Sequence, residues 1–594
     1  TETVEVGGTV TLGKNSTDSF GLRNKASGSI TLVSGGNVVV EGEKNYGALS
    51  NGSAYQRQVK KAADEYYTGV SEIARIDINN NATITVTGKK SIGYAMLSGK
   101  GTNSGTITVT GNNTPVPGST NYEGSLGFYG ENGEFTNRGL IDTKGVLAHS
   151  VVVKSTGMTF EHEGTIQVDS PNSNKGNIGV FSDGNAKVNF KDNSNVFVKA
   201  NSVGIYSADK YKFNDTFINH GKLNIKIGAD STFAYLDGNA ITPLEKFFVK
   251  NAAGKDVTVN ILESMGANSS LVYANDEAKA LLDADYTITQ GDANASTIAL
   301  LATNKSSVTV DTGKTLTTNT QVALAAVNGT TTAGNGSTAE NKGKIVSDRT
   351  NDGIGIYVRD IGKNDHNNGA SKGINKSSII MNGDKAVGMY GRNASELKND
   401  DSISLIKKES IGMYGEISAL ESTPPAPPID NAKPLEVTNN GTIELNGDKS
   451  VGIYLKNKSA KTTTSPLEDL KASNTGTIKL KSVKESIGIY APASIISNIG
   501  TITMEKATAP NSVDTTKSIA AYISDGGKIV DASTASINLG TSGKNIAYYV
   551  KNAGTSIGGA NVGTVKGYGV GVYLEGTKAN PTATPAVSAS QATL

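Results

Sequence analysis

One pattern recurs along the chain with constant ends and a varied middle. It reads NNGTIELNGDKSVGIYLKN from Asn439, SNTGTIKLKSVKESIGIYAP from Ser473, AENKGKIVSDRTNDGIGIYVRD from Ala339 and INKSSIIMNGDKAVGMYGRN from Ile374. A chain of 594 residues would ordinarily suggest several domains. Internal repetition overrides that prior, because a repeat array grows along one axis without needing a larger globular core.

Each copy holds short strands. In GTIELNG, Ile443 and Leu445 alternate with Thr442 and Glu444, a period of two with one dry and one wet face. In SVGIY, strict alternation puts Val451 and Ile453 on one face and Gly452 and Tyr454 on the other. β-branched residues favour strand over helix, and Asn-Gly, Thr-Gly and Gly-Asp mark the turns. Gly388 to Gly412 spans 24 residues, as does Ala547 to Gly571. Such a unit accommodates about three strands of five residues with their turns, one coil of a parallel β-helix. The expectation is an all-β, right-handed parallel β-helix (solenoid) of about nineteen coils over residues 1–594, the hand following from strand twist. Anchors run from Phe20 and Tyr46 through Ala148, Gly388, Gly412, Gly452 and Gly488 to Ala547 and Gly571. Ile443, Leu445, Val451, Ile453, Ile487 and Ile489 should face its interior. Asn103, Asn137, Asn219, Asn341, Asn440, Asn474 and Asn498 precede strands at similar places. They would either hydrogen-bond along the stack or supply left-handed turn geometry.

Composition excludes several function classes. There is no Cys, so no disulfide and no cysteine-ligated zinc. With 56 basic against 55 acidic residues, the net charge of +1 gives no nucleic-acid groove and no polybasic membrane arm. No apolar run reaches the length of a transmembrane helix.

Catalytic motifs do not assemble. Asp and Glu are scattered at turns, as at Asp384 and Asp448, with no pair converging as glycosidic chemistry would need. Asp311-Thr312-Gly313 occurs once, and Gly313-Lys314-Thr315 would need Gly where Val308 stands. Glu161-His162-Glu163 reads as a solvated turn before a metal site. The expectation is no enzyme, no cofactor and no metal.

Two features remain as candidate contact surfaces. Tyr357, Tyr390, Tyr414, Tyr454, Tyr490, Tyr522, Tyr548 and Tyr573 hold similar places in successive coils and should stand outside. They form either a stacked ladder or an exposed aromatic row, with Tyr454 and Tyr490 the representative contacts. Insertions near 51–75, 111–124, 418–436, 458–472 and 505–517 break the pattern, and loops on a rigid scaffold commonly carry binding. In the first, Tyr55, Val59, Ala62 and Tyr66 fall on one helical stripe. Residues 53–68 are therefore expected to be helical, offering Tyr55, Arg57, Lys60, Lys61 and Tyr66 to a partner. The Pro-rich STPPAPPIDNAKP from Ser422 should be an extended arm.

Tandem N-x-G-x-I-x-(L/V) and (S/A)-(I/V)-G-(I/M)-Y units over nearly the whole chain resemble passenger domains of type V autotransporters, most closely those of the very large fusobacterial adhesins. The resemblance implies a surface-displayed segment that attaches to a host-cell receptor or glycan, or to partner bacteria. It implies outer-membrane anchoring through a C-terminal barrel. NPTATPAVSASQATL carries no barrel strand, and TETVEVGGTV lacks signal-peptide regions. Barrel and signal peptide are thus expected outside this sequence. A β-helical polysaccharide lyase or hydrolase, and an inert spacer within a longer adhesin, are the alternatives.

Overall fold

The computed structural model describes residues 3–25, 28–52, 55–62, 65–113, 124–171, 176–183, 186–207, 213–239, 241–251, 253–328, 336–360, 371–394, 396–418, 435–458, 469–506, 513–552, 554–559, 561–576 and 586–587. The chain divides into two compact units, Thr1–Tyr273 with Ala293–Thr297, and Ala274–Asp292 with Ile298–Leu594.

Each unit is a parallel β-helix. One coil of the second unit runs Leu435–Asn439, Thr442–Leu445 and Val451–Asn457, one strand on each of three faces. Every strand pairs in parallel with its copies one coil away. Val437 sits between Leu397 and Ala472, Ile443 between Ile403 and Ile478, and Tyr454 between Tyr414 and Tyr490. In the first unit, Thr83–Val86 lies in the same way between Asn37–Val40 and Thr106–Val109. Among the described residues the third-face strands number nineteen. The expected anchors fall on these strands, save Ala148, one residue ahead of His149–Lys154.

Alternation places Ile443, Leu445, Ile453 and Ile489 at 0% exposure, in line with the sequence. Each such side chain contributes roughly 1.5–3 kcal/mol by leaving water. Val451 and Ile487 are a correction: both are only half-buried and stand on the outer wall. The reason is the glycine between each and its following Ile. Gly452 and Ile453 both face inward, and the paired register skips Gly452 and Gly488. A Cβ on Gly452 would lie 2.5 Å from the Gly488 carbonyl oxygen and 2.8 Å from Ile478 Cγ2. A side chain there would have to displace its neighbours, and the inward turn puts the preceding residue outside.

Inside, buried asparagines end the first-face strands. Each donates to the next: Asn341 to Asn375 at 2.8 Å, Asn375 to Asn399 at 2.7 Å, Asn399 to Asn439 at 2.7 Å and Asn439 to Asn474 at 2.6 Å. None has a positive φ, so stacked amides, and not left-handed geometry, account for the residue type here. The ladder starts against Val310 of the preceding coil, which leaves Asn341 Oδ1 buried without a partner. Asn440 and Asn498 also bond along the stack, but to other residue types outside the amide ladder. Asn440 is exposed and donates to Asp400 at 2.8 Å, and Asn498 donates to Ser473 at 3.1 Å. With Gly500 at φ 61°, the Ile499 carbonyl accepts from Asn474 in place of a further asparagine. Asn219 donates to the Phe247 carbonyl at 3.0 Å.

The first unit has its own version of the ladder. Asn103 donates to Asn137 at 2.7 Å, and Asn137 Nδ2 meets His162 Nδ1 at 3.2 Å. His162 Nε2 reaches the Asn195 carbonyl at 3.0 Å, so Nε2 carries the proton and Nδ1 accepts. Phe128, Phe135 and Phe160 pack beside it, with Phe128–Phe135 centroids 4.2 Å apart.

Residues 55–72 are a second correction to local structure. Tyr55–Ala62 and Glu65–Glu72 pair antiparallel as a two-stranded sheet of their own, where a helix was expected. Tyr66, Tyr67, Thr68 and Val70 are strong strand formers, and pairing outweighs the four-residue helical stripe.

Three measurements follow. Ile453→Asp should cost about 4 kcal/mol or more, read by denaturant unfolding, because the carboxylate has no partner inside the coil. Asn439→Ala should cost roughly 1–3 kcal/mol, since the Asn399 amide loses one of its acceptors and the Asn474 side-chain Oδ1 loses its donor. The third concerns pH. Burial depresses His162 to about 4, opposed by the Asn195 carbonyl and the Glu163 charge, and burial depresses His149 to about 4. The unfolded chain therefore binds more protons between pH 6.5 and 4. The two histidines' contribution is complete above about pH 6.5 and is lost as pH falls towards 4, about 3 kcal/mol for each. His162→Asn should flatten part of this acid limb in pH-dependent unfolding. An unchanged limb would contradict the buried placement.

Candidate functional site

The outer wall of the third face in the second unit carries a tyrosine ladder. Ring centroids are 5.3 Å apart for Tyr357–Tyr390, 4.6 Å for Tyr390–Tyr414 and 5.0 Å for Tyr414–Tyr454. They are 4.9 Å for Tyr454–Tyr490, 4.9 Å for Tyr490–Tyr522, 5.0 Å for Tyr522–Tyr549 and 4.9 Å for Tyr549–Tyr573. The parallel register forces this, because each tyrosine lies directly opposite its copy. Tyr548 is a correction to the sequence reading: it points inward, fully buried, and donates to the Val562 carbonyl at 2.8 Å. Its neighbour Tyr549 takes the ladder position, because the register sets Tyr548 opposite the inward Ala521 and Tyr549 opposite Tyr522.

Most rings turn their faces to each other. Interplanar angles are 6° for Tyr390–Tyr414, 16° for Tyr454–Tyr490, 17° for Tyr490–Tyr522 and 22° for Tyr522–Tyr549. Two junctions are crossed, at 65° for Tyr357–Tyr390 and 87° for Tyr414–Tyr454. The stacked rings thus present edges and hydroxyls outward and keep their faces covered. Beside them run half-buried Ile354, Val387, Ile411, Val451 and Ile487.

One carboxylate organises the upper pair. Tyr390 and Tyr414 both donate to Glu416 Oε2, at 2.6 and 3.2 Å, and Lys456 Nζ lies 3.0 Å from its other oxygen. Burial alone would raise Glu416, but these hydrogen bonds outweigh it and hold the carboxyl below its ordinary value. Burial, followed by the Glu416 contact, pushes both phenols far above the usual tyrosine range. Tyr549 donates to Glu575 in a similar way. The hydroxyls of Tyr454, Tyr490 and Tyr522 have no hydrogen-bond partner among the described residues. In the first unit a shorter stack joins Phe181, Tyr206, Tyr235 and Tyr273, with Tyr206–Tyr235 at 5.0 Å and 8°. The sequence reading missed these four and Glu416. Their signal was a constant offset within the third-face strand.

The remaining candidates are distributed elsewhere. Tyr55, Arg57, Lys60, Lys61 and Tyr66 all lie in the hairpin. Backbone pairing sets Tyr55 opposite Glu72 and Lys60 opposite Tyr66, and Arg57 and Lys61 fall at its two register shifts. Their side chains, and residues 419–434 with the Pro-rich arm, lie outside the described residues. Glu161-His162-Glu163 does not converge. His162 points inside, while Glu161 pairs with Lys191 and Glu163 with Arg138. No group of three or more His, Asp and Glu is placed to hold a metal among the described residues.

No protein-family model, no curated protein and no solved structure matches this chain.

Proposed function

We propose that this chain is a passenger segment of an autotransporter-type adhesin, displayed at the cell surface. It would attach to host cells or to other bacteria by non-covalent contact, with no bond chemistry and no cofactor. The observation that supports this most is the tolerance of the coils to insertion. The 55–72 hairpin sits between strands whose pairings, Ser29 with Arg75 and Tyr46 with Ile92, remain in register on either side. The segment 419–434 likewise falls between strands that keep Tyr414 opposite Tyr454 and Glu396 opposite Glu436. The coils carry stability, and the insertions are free to carry recognition. The partner is a receptor protein or a glycan.

The tyrosine wall supports a second mode. A row of similar aromatic edges, with the Tyr454, Tyr490 and Tyr522 hydroxyls among them, offers weak sites that sum by avidity. A panel of glycans, host cells and bacteria, probed with this chain, tests both modes. Replacing 53–68 or 422–434 by short Gly-Ser turns should weaken binding while the β signal in circular dichroism stays. Retained binding after both swaps, lost on changing Tyr454→Ser and Tyr490→Ser together, would move recognition to the wall. Absence of binding to every member of the panel would favour the spacer, and turnover of a polysaccharide would favour the enzyme.

A further inference from the structure

We propose that the outer tyrosine ladder is a site of oxidative dityrosine formation, which staples neighbouring coils of the second unit covalently. Three observations place the chemistry. First, the chain has 22 Tyr and neither Cys nor Trp, so the thiols and indoles that usually compete for a one-electron oxidant are missing. Second, the partners are already paired. Tyr390 and Tyr414 stack at 4.6 Å and 6° with both hydroxyls on Glu416 Oε2, so the two rings lie face to face with their phenol ends directed to one acceptor. Tyr454, Tyr490, Tyr522 and Tyr549 form a second stacked run at 4.9, 4.9 and 5.0 Å. Third, the ladder is half-buried on an outer wall, within reach of a small oxidant.

The step balances with a peroxide as oxidant and a haem peroxidase as catalyst. Each of two tyrosines loses one electron and its phenolic proton. At the upper pair Glu416 is the first acceptor of that proton, which it then passes to water. The two phenoxyl radicals couple through their ortho carbons, and the ring hydrogens at the new bond move to the oxygens to restore two phenols. The two electrons and two protons released convert one hydrogen peroxide to two waters. The product joins residues 24 positions apart in sequence for Tyr390–Tyr414, closing a loop in the unfolded chain as any cross-link does.

The crossed rings make the inference specific. Tyr357–Tyr390 at 65° and Tyr414–Tyr454 at 87° meet edge to face and so lack the face-to-face pairing of the other rings. The ladder should therefore react as two separate blocks. The dilute full chain is treated with a haem peroxidase and hydrogen peroxide, then digested and read by mass spectrometry. The expected result is dityrosine fluorescence in a species that remains monomeric on a denaturing gel. Linked peptides should include Tyr390–Tyr414 and neighbouring pairs among Tyr454, Tyr490, Tyr522 and Tyr549. Tyr414→Phe keeps the ring and the fold, and should lose the Tyr390–Tyr414 link while the lower block still forms. Cross-links found only between molecules would overturn the proposal. So would links across the two crossed junctions as frequent as those within the blocks, or the same link pattern from the chain oxidised in denaturant.

Discussion

Parallel pairing of each strand with its own copy is the constraint on which the rest depends. It lays identical positions over one another, so any residue that suits one coil is tested again in the next. Inside, this gives Ile345, Ile379, Ile403, Ile443, Ile478 and Ile502 in one continuous aliphatic row. At the strand ends it brings amide against amide. Outside it brings tyrosine against tyrosine. A thin interior has little room to absorb a misfit, which favours polar groups whose hydrogen bond the next coil returns. A serine row shows the same rule: Ser410, Ser450 and Ser486 each offer Oγ to the backbone N–H of the preceding coil, at 3.1 Å for each contact.

The same constraint separates scaffold from decoration. A turn between strands has no copy to match, so its length is free. A strand has two copies to match, so its length and spacing are not. Insertions can then accumulate between faces at little cost to the stack, in keeping with the slow growth of loop entropy with length. The outer tyrosines stand between these extremes. The stacked faces are committed to each other, while their edges and the hydroxyls of Tyr454, Tyr490 and Tyr522 remain available.

Much of this was legible in the sequence because the repeat states it many times over. Coil positions, the buried Ile443, Leu445, Ile453 and Ile489, and the external tyrosine row follow from spacing and alternation. The Val451 and Ile487 misses share one cause: an inward glycine interrupts the alternation. Gly452 turns inward out of phase, so Val451 faces out. The Tyr548-Tyr549 pair offers two tyrosines for one ladder place, and only the partner coil decides between them. Asn439 and Asn440 present the same ambiguity. It is resolved by the offset of three residues to Thr442, which Asn474 and Thr477 repeat. The hairpin at 55–72 occurs once, so no second copy exists to correct a helical reading of it.

Engineered disulfides measure the register most directly, since the chain has no cysteine of its own. Ser404 and Glu444 lie directly opposite across 40 residues that include an insertion. Neighbouring parallel strands stand about 5 Å apart, within disulfide reach. Ser404→Cys with Glu444→Cys should oxidise readily to an intramolecular bond. Ser404→Cys with Leu445→Cys, displaced by one residue and so on the opposite face, should not. Equal oxidation of both pairs, or of the displaced pair alone, would contradict a coil register held fixed beneath variable insertions.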